Sequence, residues 1–229
     1  MSSTTKPKPD KSASSRGWLI PIIVIIVLGV AATIAIIATS GGDDEPESVA
    51  LDELSPDEID ATGEYGVVEM DGAPLPPFEG EPSVGLPAPA FTTDSLDGDR
   101  VTVEESDNVR IIGFFVHTCP HCQREVSRVS GWLRLNELPE NVELLAVSTL
   151  ARPEGENWPP SAWFFREGFS ETVLLDDAEG TIAAHYGMTS FPCWVVIDGD
   201  MTVITQHVGE LDDAQLEEIF AVASGSQSS

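Results

Sequence analysis

The stretch Phe114-Phe115-Val116-His117-Thr118-Cys119-Pro120-His121-Cys122 carries the strongest structural signal in this chain. The apolar run over residues 108–116 predicts a buried strand, and a run with helical spacing follows it to about residue 135. Pro120 suits the first position of a helix, where its missing N–H is not needed. The two cysteines are therefore expected at the junction of a strand and a helix.

The position of this cysteine pair indicates redox chemistry. Cys119 stands where the helix begins, so that unpaired N–H groups and the positive end of the helix dipole favour its thiolate. Cys122 lies one turn later on the same helix face as the apolar Val126 and Val129 and is predicted to be the buried sulfur. An exposed thiolate followed by a buried thiol suits disulfide exchange through a mixed disulfide.

A zinc site and a static disulfide are the two alternatives to a redox-active pair. A closed zinc site needs four ligands, and the sequence holds no second C-x-x-C or C-x-x-H pair to supply them. A disulfide that spans only two intervening residues would add little stability. We therefore predict no metal and no cofactor other than a redox-active disulfide between Cys119 and Cys122.

Strands and helices alternate outward from this stretch through a predicted folded domain over residues 83–229. This pattern predicts an α/β fold with a mixed central sheet flanked by helices. An insertion at 151–169 is rich in aromatic residues, which we expect to belong to the core, with a binding groove as the alternative. Further strands are expected at 141–148 and 172–175, a helix at 178–186, a hairpin of 193–197 with 202–207, and a last helix that opens at Asp212.

Four motifs together resemble the thioredoxin-like superfamily, specifically the membrane-anchored TlpA/ResA-like thiol–disulfide oxidoreductases. The resemblance spans about residues 84–224 and implies a thioredoxin-like fold. Its motifs are Gly85-Leu86-Pro87-Ala88-Pro89-Ala90-Phe91, Leu96-Asp97-Gly98, the C-x-x-C junction, and Tyr186-Gly187-Met188-Thr189-Ser190-Phe191-Pro192.

The resemblance also implies roles for individual residues. Cys119 matches the attacking cysteine and Cys122 the resolving one, while Pro192 matches a cis-proline that faces the disulfide. Glu125 matches an acid that moves the proton of the buried thiol, although a solvated glutamate on the helix surface is an equal alternative. Gly113 stands where thioredoxin keeps a buried carboxylate, which makes Glu125 the better candidate for this role.

The active-site dipeptide leaves the direction of electron flow open. Thr118 and Ser127 depart from the family pattern, which has a tryptophan and often a proline at these positions. The dipeptide Pro120-His121 is the one found in DsbA-like oxidases, and a histidine there can stabilise the thiolate and make the protein more oxidising. The family favours reduction, whereas His121 favours oxidation.

Two further residues near the pair are candidates for a role. Cys193 follows Pro192 and is expected to be a small buried hydrophobic residue. The alternative is a third thiol close to the active pair that traps mixed disulfides or binds metal. His117 is expected to face the sheet surface.

The charge of the chain points to a membrane and away from nucleic acid. The formal net charge is −28, with 11 Lys+Arg against 39 Asp+Glu, so the clustered bases that phosphates require are missing. A basic tail (1–17) precedes an uncharged apolar run (18–40), which is long enough for one transmembrane helix and too long for a signal peptide. This order predicts a cytoplasmic N-terminus and an extracytoplasmic domain, joined by an acidic disordered linker (41–82).

We therefore expect a single-pass membrane protein that exchanges disulfides with extracytoplasmic protein thiols. A reductase of this kind, with cytochrome c maturation as the family's best-known task, competes with a disulfide-forming oxidase. A membrane electron donor or acceptor is the expected redox partner. The alternative is a copper- or haem-binding carrier module that uses Cys119, Cys122 and Cys193.

Overall fold

Strand β4 (Val109–Phe115) is the middle strand of a five-stranded mixed sheet with the order β6-β5-β4-β7-β8. Strands β5 (Val142–Ser148) and β6 (Thr172–Leu175) run parallel to it on one side. Strands β7 (Cys193–Ile197) and β8 (Val203–Val208) run antiparallel to their neighbours on the other. The central strands are mostly apolar because both faces of this sheet are covered, and the charged Arg110 of β4 and Glu143 of β5 pair with each other.

The first face of the sheet is covered by three helices, α1 (Pro120–Leu133), α2 (Pro160–Glu167) and α4 (Asp213–Ala223). The predicted core role of the aromatic insertion is confirmed for Trp163 and Phe164 of α2, which are buried on this face. Phe165, the next residue of α2, points away from the core and is 87% exposed.

The second face is covered by the short helix α3 (Thr181–His185) and by a three-stranded antiparallel sheet. That sheet consists of β1 (Glu69–Asp71), β2 (Ala90–Asp94) and β3 (Arg100–Val103). It was not predicted, because its strands are short and half polar. Phe91 and Val103 are its firmly buried apolar side chains.

The computed structural model describes residues 64–225. The predicted basic tail, the transmembrane helix at 18–40 and the linker up to residue 63 lie outside the described residues. Within the described range, no helix has the length and apolar character needed to cross a bilayer.

Residues 64–82 differ from the predicted disordered linker, because they pack against the domain. Tyr65 and Leu75 are 5% and 4% exposed, and strand β1 pairs with β2. Because the segment is so acidic, its composition did not indicate that these few apolar residues would be buried.

The thioredoxin-like α/β fold with its mixed central sheet is confirmed.

Candidate active site

Cys119 lies at the N-terminal end of α1, immediately before Pro120, as predicted. Its backbone is extended, with φ −81° and ψ 118°, and its N–H donates to the Val116 carbonyl at 3.0 Å. The thiol is partly exposed, and its Sγ lies 3.7 Å from the carbonyl oxygen of Phe191. The first sulfur of the pair is thus open to a reaction partner.

Cys122 is completely buried, as its place on the helix face predicts. The Val116 N–H donates to its Sγ at 3.4 Å. Burial raises the pKa of this thiol, and the nearby Cys119 and Glu125 add to the rise, while the Val116 N–H partly offsets it. Cys122 therefore remains protonated near neutral pH unless a base removes its proton.

Glu125 is a carboxyl group near enough to this buried thiol to contribute to its raised pKa. It is 0% exposed, so the alternative of a solvated surface glutamate is wrong. Its Oε1 accepts hydrogen bonds from Trp194 Nε1 at 3.1 Å and from the Leu211 N–H at 3.0 Å. Burial raises its pKa, and these donors together with Arg128 limit the rise.

The peptide bond between Phe191 and Pro192 is cis, as the family resemblance implied. The carbonyl of Pro192 accepts a hydrogen bond from the Gly209 N–H at 2.9 Å. This loop brings the Phe191 carbonyl to Cys119, and it leads directly into β7.

Cys193 points to the second face of the sheet, where it packs with Phe114 and Val195. Cys122 and Trp194 pack on the first face, because neighbouring residues of a strand alternate between faces. Cys193 is 0% exposed, and burial raises the pKa of its thiol. It is the small buried residue that was expected.

His121 belongs to a charged network that the sequence did not predict. Its Nδ1 lies 2.5 Å from Oε1 of Glu210, and its side chain is 62% exposed. Arg124 donates to both carboxylate oxygens of Glu210, at 2.5 and 3.1 Å. These bonds, first that from Arg124 and then that from His121, lower the pKa of Glu210 to about 2.

The 209–211 segment touches three parts of the site with three consecutive residues. Gly209 binds Pro192 through its backbone, Glu210 binds His121 through its side chain, and Leu211 binds Glu125 through its N–H. The segment lies 86 to 89 residues after its partners on α1, and no local pattern in the sequence marks it.

The prediction that His117 faces the sheet surface is wrong. Its side chain is 0% exposed and lies beneath the 151–159 part of the insertion. Its Nε2 accepts the Arg152 N–H at 2.9 Å, so Nδ1 carries the hydrogen and donates to the Glu156 carbonyl at 2.7 Å. Burial lowers its pKa. This neutral ring fastens the insertion to the loop that bears Cys119.

The residues that the structure describes contain no group of three or more His, Cys, Asp or Glu side chains arranged to hold a metal ion. The site contains the partly exposed thiol of Cys119, the buried thiol of Cys122 and the buried carboxyl group of Glu125. This arrangement can form a disulfide and move one proton while doing so.

Comparisons with known proteins agree with this geometry. Residues 84–206 match the model of the AhpC/TSA family. The thiol:disulfide interchange protein DsbE homolog of Paracoccus denitrificans (strain Pd 1222) is 26% identical over 131 residues, which cover 56% of this chain and 68% of that protein.

Two solved structures are also similar. A candidate protein disulfide isomerase from Bacteroides thetaiotaomicron aligns with a TM-score of 0.50 at 18% identity, over 67% of this chain and 94% of that one. StoA from Bacillus subtilis aligns with a TM-score of 0.49 at 17% identity, over 58% and 97% of the two chains. At 18% identity, the likeness to the Bacteroides protein shows a common fold alone.

Proposed function

Because the chain belongs to the AhpC/TSA family, we propose that it is a thiol–disulfide oxidoreductase of the membrane-anchored TlpA/ResA-like kind. The observation that carries the proposal is the pairing of a partly exposed Cys119 with a buried Cys122 whose pKa is raised. The name of the Paracoccus relative, a thiol:disulfide interchange protein, supports the same chemistry.

In the reducing direction, the Cys119 thiolate attacks one sulfur of a substrate disulfide. A mixed disulfide forms, and the other substrate sulfur leaves as a thiolate. Cys122 then gives its proton to the Glu125 carboxylate and attacks the Cys119 sulfur. The substrate leaves with two thiols after protonation, and the enzyme keeps both oxidised sulfurs as the Cys119–Cys122 disulfide. The oxidising direction is the reverse of these steps.

Other residues support this exchange. The Phe191 carbonyl, which precedes the cis-bonded Pro192, lies 3.7 Å from the Cys119 sulfur, and a substrate segment would lie along this loop in the mixed disulfide. Pro120 and His121 occupy the first turn of α1, between the two cysteines, and in this proposal they influence the reduction potential of the pair.

The proposed setting is the outer face of a membrane. It is supported by the uncharged apolar run at 18–40, with a basic tail before it and acidic residues after it. The partners would be extracytoplasmic protein thiols and disulfides, together with a membrane electron donor or acceptor. Nucleic acid is not a partner in this proposal, because a net charge of −28 repels phosphates.

A copper or haem carrier that uses all three cysteines fits the structure less well. Cys193 packs on one face of the central sheet and Cys122 on the other. Among the described residues, these three cysteines do not form a group arranged to hold one ion.

The test is the reduction potential of the full-length protein, purified in detergent and equilibrated in glutathione buffers. Alkylation of the unfolded protein and mass counting should show one modified cysteine when oxidised and three when reduced. Cys119→Ser should abolish this two-electron transition, and Cys122→Ser should trap mixed disulfides.

The value of the potential assigns the direction. A potential near −120 mV would identify an oxidase, and one near −270 mV or lower would identify a reductase that needs an electron donor. A wild-type protein with no two-electron transition would overturn the proposed function.

A further inference from the structure

The 151–159 part of the insertion is fastened by a buried histidine to the loop that bears Cys119. The His117 ring binds it at both nitrogens, since Nε2 accepts the Arg152 N–H at 2.9 Å and Nδ1 donates to the Glu156 carbonyl at 2.7 Å. No step of the proposed exchange uses this ring, although it lies two residues before the attacking cysteine.

The backbone next to this ring contacts the insertion as well. The His117 carbonyl accepts hydrogen bonds from Gln123 Nε2 of α1 at 2.9 Å and from Asn157 Nδ2 of the insertion at 3.3 Å. A Cβ atom on Gly155 would clash with Thr118 Cγ2 and come within 2.7 Å of His117 Cε1. The insertion therefore contacts both of the residues that come directly before the attacking cysteine.

The insertion is also anchored by the segment that begins the described chain. The Tyr65 hydroxyl donates to the Ala151 carbonyl at 3.0 Å. The rings of Tyr65 and His117 both pack against Trp158, with centroid distances of 6.4 and 6.0 Å. Because the insertion is held from this second side, it forms a fixed support for the loop that bears Cys119.

We propose that His117 is a positioning residue for the attack by Cys119 on extended polypeptide substrates. Through the insertion it keeps the Cys119 sulfur in place beside the loop before Pro192, where the Phe191 carbonyl lies 3.7 Å from that sulfur. This inference rests on the proposed function and adds to it a residue that favours polypeptides over small disulfides as reaction partners.

The two kinds of reaction partner depend on this placement to different extents. A small disulfide needs only an accessible Cys119 sulfur. A polypeptide also has to lie along the loop before Pro192 while its own sulfur reaches Cys119, so the two elements must keep their relative position. A pre-organised site spares the cost of ordering these elements during the encounter. Displacement of residues 117–119 should therefore slow exchange with polypeptides more than exchange with small disulfides.

Two substitutions should displace this loop by different routes. His117→Phe keeps a ring in the buried space but leaves the Arg152 N–H and the Glu156 carbonyl without their partner, which favours a shift of the insertion towards water. Gly155→Ala places a methyl group against Thr118 and the His117 ring, so that the insertion or the loop has to move. His117→Gln keeps an acceptor for the Arg152 N–H, because its amide can reach the position of Nε2.

The test measures the attack by Cys119 in full-length proteins in detergent, in a Cys122→Ser background that prevents resolution of the mixed disulfide. An extended peptide with one central cysteine and glutathione are each capped with nitrothiobenzoate, so that both substrates release the same coloured leaving group. A change in the nucleophilicity of Cys119 alters both rate constants alike and cancels from their ratio.

The ratio of the peptide rate constant to the glutathione rate constant is the quantity compared. It should fall about tenfold in His117→Phe and in Gly155→Ala, as expected for a misplaced sulfur. His117→Gln should keep most of the ratio of the parent Cys122→Ser protein, because it retains one of the two hydrogen bonds to the insertion.

Two control variants should keep the parent ratio. Gly131→Ala is matched to Gly155→Ala, because a Cβ atom on Gly131 of α1 meets only Arg134 Nη2, at 3.4 Å. Val203→Ala controls for lost stability, since Val203 is 1% exposed and belongs to the edge strand β8, whereas the insertion follows β5.

The proposal is overturned if either His117→Phe or Gly155→Ala keeps the parent ratio. It is also overturned if His117→Gln lowers the ratio as much as His117→Phe, or if Val203→Ala lowers it too. Those results would leave the two-electron transition of the Cys119–Cys122 pair intact. A wild type that lacks the transition would instead overturn the proposed function and this inference together.

Discussion

Glu125 and Cys122 are two buried titratable side chains near the partly exposed Cys119. The pKa of each of the two buried groups is raised, chiefly by burial. A thiol with a raised pKa is a poor nucleophile near neutral pH, since the thiolate is the reactive form. The second step of the exchange therefore depends on a nearby group that accepts its proton.

Glu125→Gln keeps the size and the burial of this side chain but removes its ability to accept a proton. We expect the attack of Cys122 on the mixed disulfide to slow about a hundredfold at pH 7, a typical loss for a missing general base. The defect should shrink as pH rises, because hydroxide then ionises the thiol directly. Acid quenching of reduced protein mixed with oxidised glutathione, followed by mass analysis, should show the glutathione adduct on Cys119 accumulating.

The control for this experiment is Glu218→Gln, which removes a carboxylate from the exposed face of α4. It should resolve the adduct at the wild-type rate. Equal rates for Glu125→Gln and wild type at pH 7 would show that another group or water takes the proton.

The sequence predicted the burial or exposure of those residues whose contacts lie close along the chain. The exposure of Cys119 and the burial of Cys122 follow from the strand–helix junction and from helical spacing. The choice between a buried and a solvated Glu125 needed the structure, because its donors are Trp194 and the Leu211 N–H, 69 and 86 residues away. Glu210 was missed for the same reason.

Helix α3 is held by a carboxylate that precedes it. Gly180 offers no side chain to cap this short helix. Asp176, which is 1% exposed, accepts the N–H groups of Ile182 and Ala183 at 2.8 and 3.1 Å, and the Thr149 hydroxyl at 2.8 Å. Burial outweighs these donors and raises the pKa of Asp176 to about 6.

Asp176→Asn should destabilise the protein in a pH-dependent manner. The raised pKa means that the folded state keeps the proton to higher pH than the unfolded chain. The resulting stabilisation is complete below about pH 3.8 and is lost as pH rises through about 6. In urea unfolding, the free-energy difference between wild type and variant should be about 1.4 kcal/mol larger at pH 5 than at pH 7.5.

Glu218→Gln, which removes an exposed carboxylate from α4, is the control, and it should change the free energy of unfolding by less than about 0.5 kcal/mol at either pH. A difference for Asp176→Asn that does not change with pH would contradict the predicted protonation.

At the scale of elements, the central sheet and its helices could be predicted, and the outer sheet could not. Strands β4, β5, β6 and β7 are apolar runs within one or two residues of their predicted bounds. Strand β1 has three residues, with only the middle one partly buried, so no periodic pattern can reveal it. Its pairing with β2 is seen only in the structure and could not be predicted from the sequence.

The folded unit begins before the boundary that composition suggests. Tyr65 donates to the Ala151 carbonyl at 3.0 Å, and the Gly66 N–H donates to the Asp176 carbonyl at 3.1 Å. Leu75 is buried, and the Phe78 N–H donates to the Gly187 carbonyl at 2.8 Å. Residues 64–82 thus cross the second face of the domain and reach the loop before Pro192.

A chain that starts at residue 83 should be markedly less stable than one that starts at residue 62. Removal of the buried Tyr65 and Leu75 alone should cost about 3 kcal/mol or more, from the usual gain of about 1.5–3 kcal/mol for each buried side chain of this size. Urea unfolding followed by tryptophan fluorescence would compare the two chains.

The chain that starts at 62 serves as the reference for this comparison, since it keeps every contact of the 64–82 segment. Equal unfolding midpoints for the two chains would show that this segment rests on the domain without stabilising it.

Gly113 and Trp194 face each other across β4 and β7. A Cβ atom on Gly113 would come within 2.7 Å of Cζ3 in the indole and within 2.8 Å of the Phe115 ring. The indole fills the space where a carboxylate on the strand would have to stand, and its Nε1 binds Glu125. An acidic side chain at residue 113 would therefore require both rings to move. Replacement of Trp194 to make part of that room would also remove the indole that donates to Glu125, so the buried glutamate on the helix and an acid on the strand compete for the same space.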